Sequence, residues 1–166
     1  MNINIRIILF NAIVYLVTVV IVGINLEALL ICALASCLIW LAIEDYKTYT
    51  IPNKINIVVL LLGVIAVVVD NANWRSHLLG AVSISGILLI VYVISRAHVI
   101  GGGDIKLMAA AGLMLGLNKI VIAFLIGGFL GVLVNLVITK CMGMKRVFAF
   151  GPYLAIGIYM AALIVK

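Results

Sequence analysis

The sequence is poor in charged residues and in proline. Of its 166 residues, 10% are charged and only two are prolines, whereas a soluble domain usually carries about a quarter charged residues. Long apolar segments follow one another instead, and 67% of the residues are hydrophobic. A spanning helix needs about 20 mostly apolar residues. The composition therefore excludes an ordinary soluble enzyme and predicts an all-α, polytopic membrane helix bundle.

Common hydrolase and metal-site motifs are also missing from the sequence. The three cysteines, Cys32, Cys37 and Cys141, form no CxxC pair, so neither a disulfide framework nor a zinc site is indicated. GxSxG and HExxH motifs are absent, and the only histidines are His77 and His98. We expect no metal and no cofactor. The net charge of +6 is assigned to the bilayer surface, and no nucleic-acid partner is expected.

Seven apolar segments are predicted to cross the bilayer. They are Ile3–Ile24, Leu26–Glu44, Ile55–Val69, His77–Ser95, Ile105–Leu117, Ile120–Thr139 and Pro152–Val165. Residues 1–25 are expected to form a retained N-terminal span, and residues 26–166 one helical core domain. Nothing in the pattern predicts the oligomeric state.

Basic residues are distributed unevenly between the two sides of this topology. Eight fall on one side: Arg6, Lys47, Lys54, Arg96, Lys106, Lys140, Lys145 and Arg146. Three fall on the other: Arg75, Lys119 and Lys166. Because an excess of Lys and Arg marks the cytoplasmic side, we expect the N-terminus in the cytoplasm of an inner-membrane protein.

The acidic residues divide between the same two sides. Glu27 and Asp70 fall in short outer turns, whereas Glu44, Asp45 and Asp104 fall at the cytoplasmic boundary. Carboxylates close to hydrocarbon are costly, so they usually face the bundle interior and mark a functional site. These three residues are therefore the candidate catalytic acids.

Two polar segments carry the candidate site. In IEDYKTYTIPNKIN, Asp45 follows an apolar helix and Pro52 can open the next one, because proline lacks the amide hydrogen that a helix start leaves unpaired. Asn53 adds a polar group nearby. In VIGGGDIKLMAAAGLMLG, three glycines precede Asp104. Glycine permits unusual backbone conformations and close approach of another chain, which a protease reading an extended peptide requires.

Two neighbouring carboxyls can hydrolyse a peptide without a metal or a nucleophilic side chain. They cannot easily both ionise, so one is retained as an acid while the other acts as a base. The predicted reaction is thus acid–base peptide hydrolysis by a pair of these carboxyls. A small transporter or channel, and a non-catalytic component of a pilus or secretion machine, remain alternatives.

The segments EDYKTYTIPN and GGGDIKLMAAAGLMLG resemble those of the type IV prepilin peptidases, a family of GxGD aspartyl proteases. FAFGPYLAIG resembles a further family element, an FGP turn that opens the last helix. The resemblance implies that Asp45 and Asp104 are catalytic and that Gly101 and Gly103 are the motif glycines. It also implies a substrate with a short basic leader, a glycine and then an apolar helix, cut at the cytoplasmic face.

Some residues depart from this pattern or keep an open role. Long members of the family carry an inserted domain with paired CxxC motifs and methylate their product; this sequence has neither, so we expect cleavage without methylation. Presenilin-like proteases, a rival, have a tyrosine before the first aspartate, where this chain has Glu44. Glu44 is a candidate for docking the basic leader. Lys106 is interpreted as a cytoplasmic anchor or a substrate contact.

Overall fold

The computed structural model describes residues 3–96, 100–142 and 149–164. Within these ranges the chain forms seven α-helices. They are α1 (Ile3–Val22), α2 (Leu26–Thr48), α3 (Asn53–Val69), α4 (Trp74–Ile94), α5 (Gly102–Leu115), α6 (Leu117–Met142) and α7 (Gly151–Ile164). Helices α1, α2, α4 and α6 are long and apolar enough to cross a membrane, and α3 and α7 are shorter apolar helices. The chain is therefore a polytopic, all-α membrane protein, as predicted.

Two of the predicted helix boundaries near the acids were wrong. Helix α2 continues past Glu44 to Thr48 and ends where Tyr49 adopts a left-handed conformation with φ 54°. Helix α5 begins at Gly102, three residues before the predicted start. Asp45 and Asp104 therefore both belong to helices, and neither lies in a connecting loop.

The connection between α5 and α6 is also shorter than predicted. It consists of Gly116 alone, whose φ of +80° is a backbone conformation that residues other than glycine rarely adopt. Asn118 and Lys119, predicted as the connection, lie in the first turn of α6. Lys145, Arg146 and Lys166, which the topology prediction used, lie outside the described residues, and so does His98.

Helices cross closely where small residues meet. A side chain on Gly112 of α5 would collide with the carbonyl oxygen of Gly80 on α4. A side chain on Gly127 of α6 would lie 2.8 Å from the carbonyl oxygen of Tyr153 on α7. Small residues allow such approach and drive helix association in membranes.

The core lies where α2, α3, α5 and α7 face one another. Its fully buried side chains include Leu34, Leu41, Val59, Leu107, Met108, Leu154 and Ile158. Helix α1 lies outside this core, with most of its described side chains exposed. Its described contacts to the bundle include hydrogen bonds from Tyr159 to the Val14 carbonyl oxygen and between Thr18 and Tyr159.

Polar contacts collect at two opposite ends of the bundle. At one end, Lys119 Nζ lies 3.2 Å from Glu27 Oε1. There too, buried His77 places Nδ1 2.8 Å from the Leu113 carbonyl oxygen and Nε2 3.4 Å from Asp70 Oδ2. The other end holds Asp45, Asp104 and the starts of α3, α5 and α7.

Candidate active site

Asp45 lies in the last turns of α2 and is only 4% exposed. Its Oδ2 accepts a hydrogen bond of 2.9 Å from the amide of Gly151. Gly151 is the first residue of α7, where backbone amides have no partner within the helix. The positive end of the helix dipole also favours a carboxylate there. Asp45 thus caps the start of α7 while remaining part of α2.

Asp104 is the third residue of α5 and is 9% exposed. The amide of Gly101, the residue that caps α5, donates a hydrogen bond to the Asp104 carboxylate. This is one of the two hydrogen bonds of a capping box, the one in which an acidic side chain at the third helical residue accepts from the amide of the capping residue. The local sequence Gly101–Asp104 therefore fixes where the carboxylate points.

The two carboxyls lie near enough to act on each other electrostatically. Asp104 lies outside the helices long enough to span the membrane. Burial, followed by the negative charge of Asp45, raises the pKa of Asp104 to about 6, against the opposing hydrogen bond from Gly101. Carboxyls coupled in this way titrate as a pair, and the second proton is lost at a higher pH than the first. The site is chemically suited to combined acid and base catalysis.

In the glycine run that precedes Asp104, Gly103 allows a close packing contact, but none of the three glycines has a positive φ. Among the described residues, the glycines with positive φ are Gly23 and Gly116. A side chain on Gly103 would place its Cβ 2.9 Å from the Cβ of Ile51, whereas one on Gly102 would have no neighbour within 4 Å. The expectation of special conformations in this run was therefore wrong.

The segment that begins α3 packs beside the start of α5. Pro52 is the capping residue of α3 and Asn53 its first helical residue, so the proline precedes the helix by one position. Lys106 is exposed and its Nζ donates a 3.0 Å hydrogen bond to Asn53 Oδ1. Buried Asn56 donates to the Gly103 carbonyl oxygen over 3.4 Å. Sequence reasoning did not foresee the burial of Asn56.

Glu44, the acid that precedes Asp45, is more exposed than either of the two aspartates. It is half-buried, whereas Asp45 is buried, since successive helical residues point about 100° apart. Among the described residues no three His, Cys, Asp or Glu side chains are grouped so that they could hold a metal ion. The structure thus brings Asp45 and Asp104 together and leaves Glu44 at the edge.

Fold and site define a polytopic helical membrane protein with two interacting carboxyls buried at one end of its bundle. The chain belongs to the type IV leader peptidase family, whose sequence profile matches residues 32–136. That match contains both aspartates and leaves out α1 and α7.

Two curated relatives carry the same name, prepilin leader peptidase/N-methyltransferase. The one from Bacillus subtilis (strain 168) is 32% identical over 145 residues, which cover 85% of this chain and 58% of the relative. The one from Escherichia coli (strain K12) is 30% identical over 128 residues, covering 70% of this chain and 55% of the relative. The chain therefore spans little more than half the length of either. No solved structure matches it significantly.

Proposed function

We propose that this protein is an intramembrane aspartyl endopeptidase that removes the short basic leader from type IV pilin-like precursors. The observation that carries the proposal is the coupling of two buried carboxyls, Asp45 and Asp104, at one end of the bundle. Family membership supports it, because a profile of leader peptidases matches the segment containing both residues.

In the proposed reaction Asp104 starts protonated and Asp45 starts ionised. Asp45 takes a proton from water as the water oxygen attacks the scissile carbonyl carbon, and Asp104 gives its proton to the carbonyl oxygen. The resulting diol collapses: its hydroxyl proton returns to Asp104, the carbon–nitrogen bond breaks, and Asp45 passes its proton to the leaving amine. Each acid–base contribution of this kind is worth roughly 10²–10⁴-fold.

The assignment of roles follows from the surroundings of each carboxyl. Burial and the charge of Asp45 both favour the neutral form of Asp104, which suits the acid. Asp45 accepts the Gly151 amide at the positive end of α7, which suits the carboxylate that acts as base.

Charge distribution supports a cytoplasmic site. Eight of the eleven Lys and Arg residues fall on the side of the predicted topology that holds both aspartates. In this proposal half-buried Glu44, beside Asp45, attracts the basic leader that the surrounding cations would otherwise repel.

The membrane orientation can be tested with single cysteines introduced at Tyr46 and at Trp74 in a cysteine-free background. A membrane-impermeant thiol reagent added to whole cells should label the Trp74 variant only.

The proposal includes cleavage without methylation. The two relatives are named as both peptidase and N-methyltransferase. Its three cysteines form none of the CxxC pairs that accompany the methylating domain in long members of the family.

Co-expression with a pilin-like precursor tests the whole proposal. Mass spectrometry of the precursor should show loss of the leader and a new N-terminus without the added mass of a methyl group. A full-length precursor would contradict the peptidase assignment and favour a transporter or a non-catalytic assembly component. A methylated product would contradict only the second part.

A further inference from the structure

An apolar groove runs between α1, α2 and α7. Its volume is about 570 Å³. From α2 it is lined by Leu38, Ala42 and Ile43, and from α7 by Pro152 and Ile156. Nearly all its lining side chains are apolar, and it opens along the side of the bundle.

One end of the groove meets the candidate active site. Ile43 lies two residues before Asp45 on α2, and Pro152 directly follows Gly151, whose amide binds Asp45. A helix advances only about 1.5 Å per residue, so the groove ends at the level of Asp45 along the axis of α2, and Ala42, three residues before Asp45, lies on the same face of that helix. A chain that leaves the groove at this end therefore emerges at the level of the candidate active site.

Helix α1 forms the third wall and is attached by polar contacts farther along the groove. Tyr15 and Ser36 share a hydrogen bond, and Thr18 lies 3.0 Å from the Tyr159 hydroxyl. Interhelical hydrogen bonds and close packing are what hold helices together in lipid. Nearer the Asp45 end, the apolar face of α1 at Ile7 and Phe10 lines the groove.

We propose that this groove binds the apolar helix that follows the scissile bond of the precursor, with α1 serving as its outer wall. The inference rests on the proposed function. Binding of an apolar helix in a groove between helices is a common recognition mode. The groove offers an apolar helix three apolar walls and an end beside Asp45, so that the residues preceding the helix reach the catalytic pair. It also assigns a role to α1, which lies outside the family match.

The charge on the groove agrees with this direction of binding. Arg6, on α1, is the charged residue among those that line it. A basic leader would be repelled by Arg6, whereas an uncharged apolar helix would not. Arg6 would therefore exclude a basic leader from the groove while admitting the apolar helix.

Site-specific photocrosslinking tests the groove. A benzophenone amino acid replaces Ile156, which lines the groove and is 48% exposed, and in a matched control replaces Ile90, which is 60% exposed. Ile90 lies near the same end of the bundle on α4, a helix that makes no contact with α1, α2 or α7 among the described residues. The probe is a precursor with a Lys-rich leader, a glycine and an apolar helix, co-expressed with the full chain.

We expect the Ile156 probe, and not the Ile90 probe, to crosslink to the apolar helix of the precursor. Crosslinks from Ile156 to lipid alone, or equal crosslinking from both positions, would overturn the inference. Cleavage by the wild type without crosslinks from Ile156 overturns the groove and leaves the peptidase standing. Crosslinks without cleavage would support the groove and contradict the peptidase. The absence of crosslinks and of cleavage would contradict both proposals.

Obstruction of the groove gives a second readout. Ile156→Trp should raise the KM for the precursor about tenfold with little change in kcat, because it narrows the groove and leaves the carboxyls in place. Ile90→Trp should leave both constants unchanged. A normal KM in Ile156→Trp would contradict the docking site, and a fall in kcat alone would point to a disturbed active site instead.

Discussion

The amide of Gly151 donates a hydrogen bond of 2.9 Å to Oδ2 of Asp45, a residue 106 positions earlier in the chain. The start of α7 thereby orients a carboxylate carried by α2. The resemblance to an FGP turn gains a physical reason here, because a glycine lets the amide approach and the following Pro152 suits the first turn of a helix.

Replacement of Gly151 by alanine should impair cleavage. The added Cβ would lie 2.7 Å from Asp45 Oδ2 and 3.0 Å from its Cγ, so the carboxyl must move. A displacement of about 1 Å at a reacting group can cost roughly 100-fold in rate, and we expect a loss of 10- to 100-fold. The measurement is the rate of leader removal from a precursor in membranes. Gly128→Ala, where no atom lies within 4 Å, is the control and should cleave normally.

The two glycines beside Asp104 should respond differently to the same substitution. Gly103→Ala would bring its Cβ to 2.9 Å from the Cβ of Ile51 and displace the start of α5, whereas Gly102→Ala meets nothing within 4 Å. We therefore expect Gly103→Ala to slow cleavage at least about tenfold and Gly102→Ala to stay near the wild-type rate. Equal rates in the two variants would show that the contact with Ile51 does not position Asp104.

Asp104→Asn should stabilise the folded protein at neutral pH. The pKa of Asp104 is raised from 3.8 to about 6, so the folded state holds the proton more tightly than the unfolded state does. Stability therefore falls as pH rises from about 4 to 6, and the full penalty, up to roughly 3 kcal/mol, is present above the folded pKa. The substitution removes that penalty. Thermal unfolding in detergent should show a higher Tm for the variant at pH 7.5.

At pH 4 this gain should nearly disappear, because Asp104 is then mostly protonated in the folded wild type. A gain of the same size at both pH values would mean that the substitution acts through packing and not through the charge of Asp104.

The close crossing of α4 and α5 predicts a loss of stability in Gly112→Ala. The new Cβ would collide with the carbonyl oxygen of Gly80, and overpacking of this kind typically costs about 1–3 kcal/mol. Gly86→Ala, on α4, has its nearest atom at 4.0 Å and should be neutral or stabilising, since alanine favours a helix over glycine by up to about 1 kcal/mol. Thermal unfolding of the two variants provides the comparison.

The order of the helices could be predicted from sequence because polar or glycine-containing connections separate the apolar segments. Their ends could not. Residues 45–48 are mostly polar and look like a loop, yet α2 continues through them until Tyr49 adopts a left-handed conformation. Similarly, Asp104 belongs to α5 because the Gly101 amide and the Asp104 carboxylate cap the helix together.

Long-range contacts at the site were the least predictable. Topology places Asp45 and Asp104 on one side of the membrane, and the family resemblance names both. The partner of Asp45, the amide of Gly151, is a backbone group that carries no sequence signal. The burial of Asn56 beside Gly103 depends on how α3 packs against α5, which periodicity alone does not specify.

The most direct test of the central proposal is leader removal by Asp45→Asn, Asp104→Asn and Glu44→Gln, compared with wild type at equal expression in the same membranes. Each substitution removes one negative charge with little change in side-chain size. We predict that both aspartate variants leave the precursor uncut while Glu44→Gln still removes the leader. Normal trimming by either aspartate variant, or loss of activity in Glu44→Gln alone, would contradict the assignment of Asp45 and Asp104 as the catalytic pair.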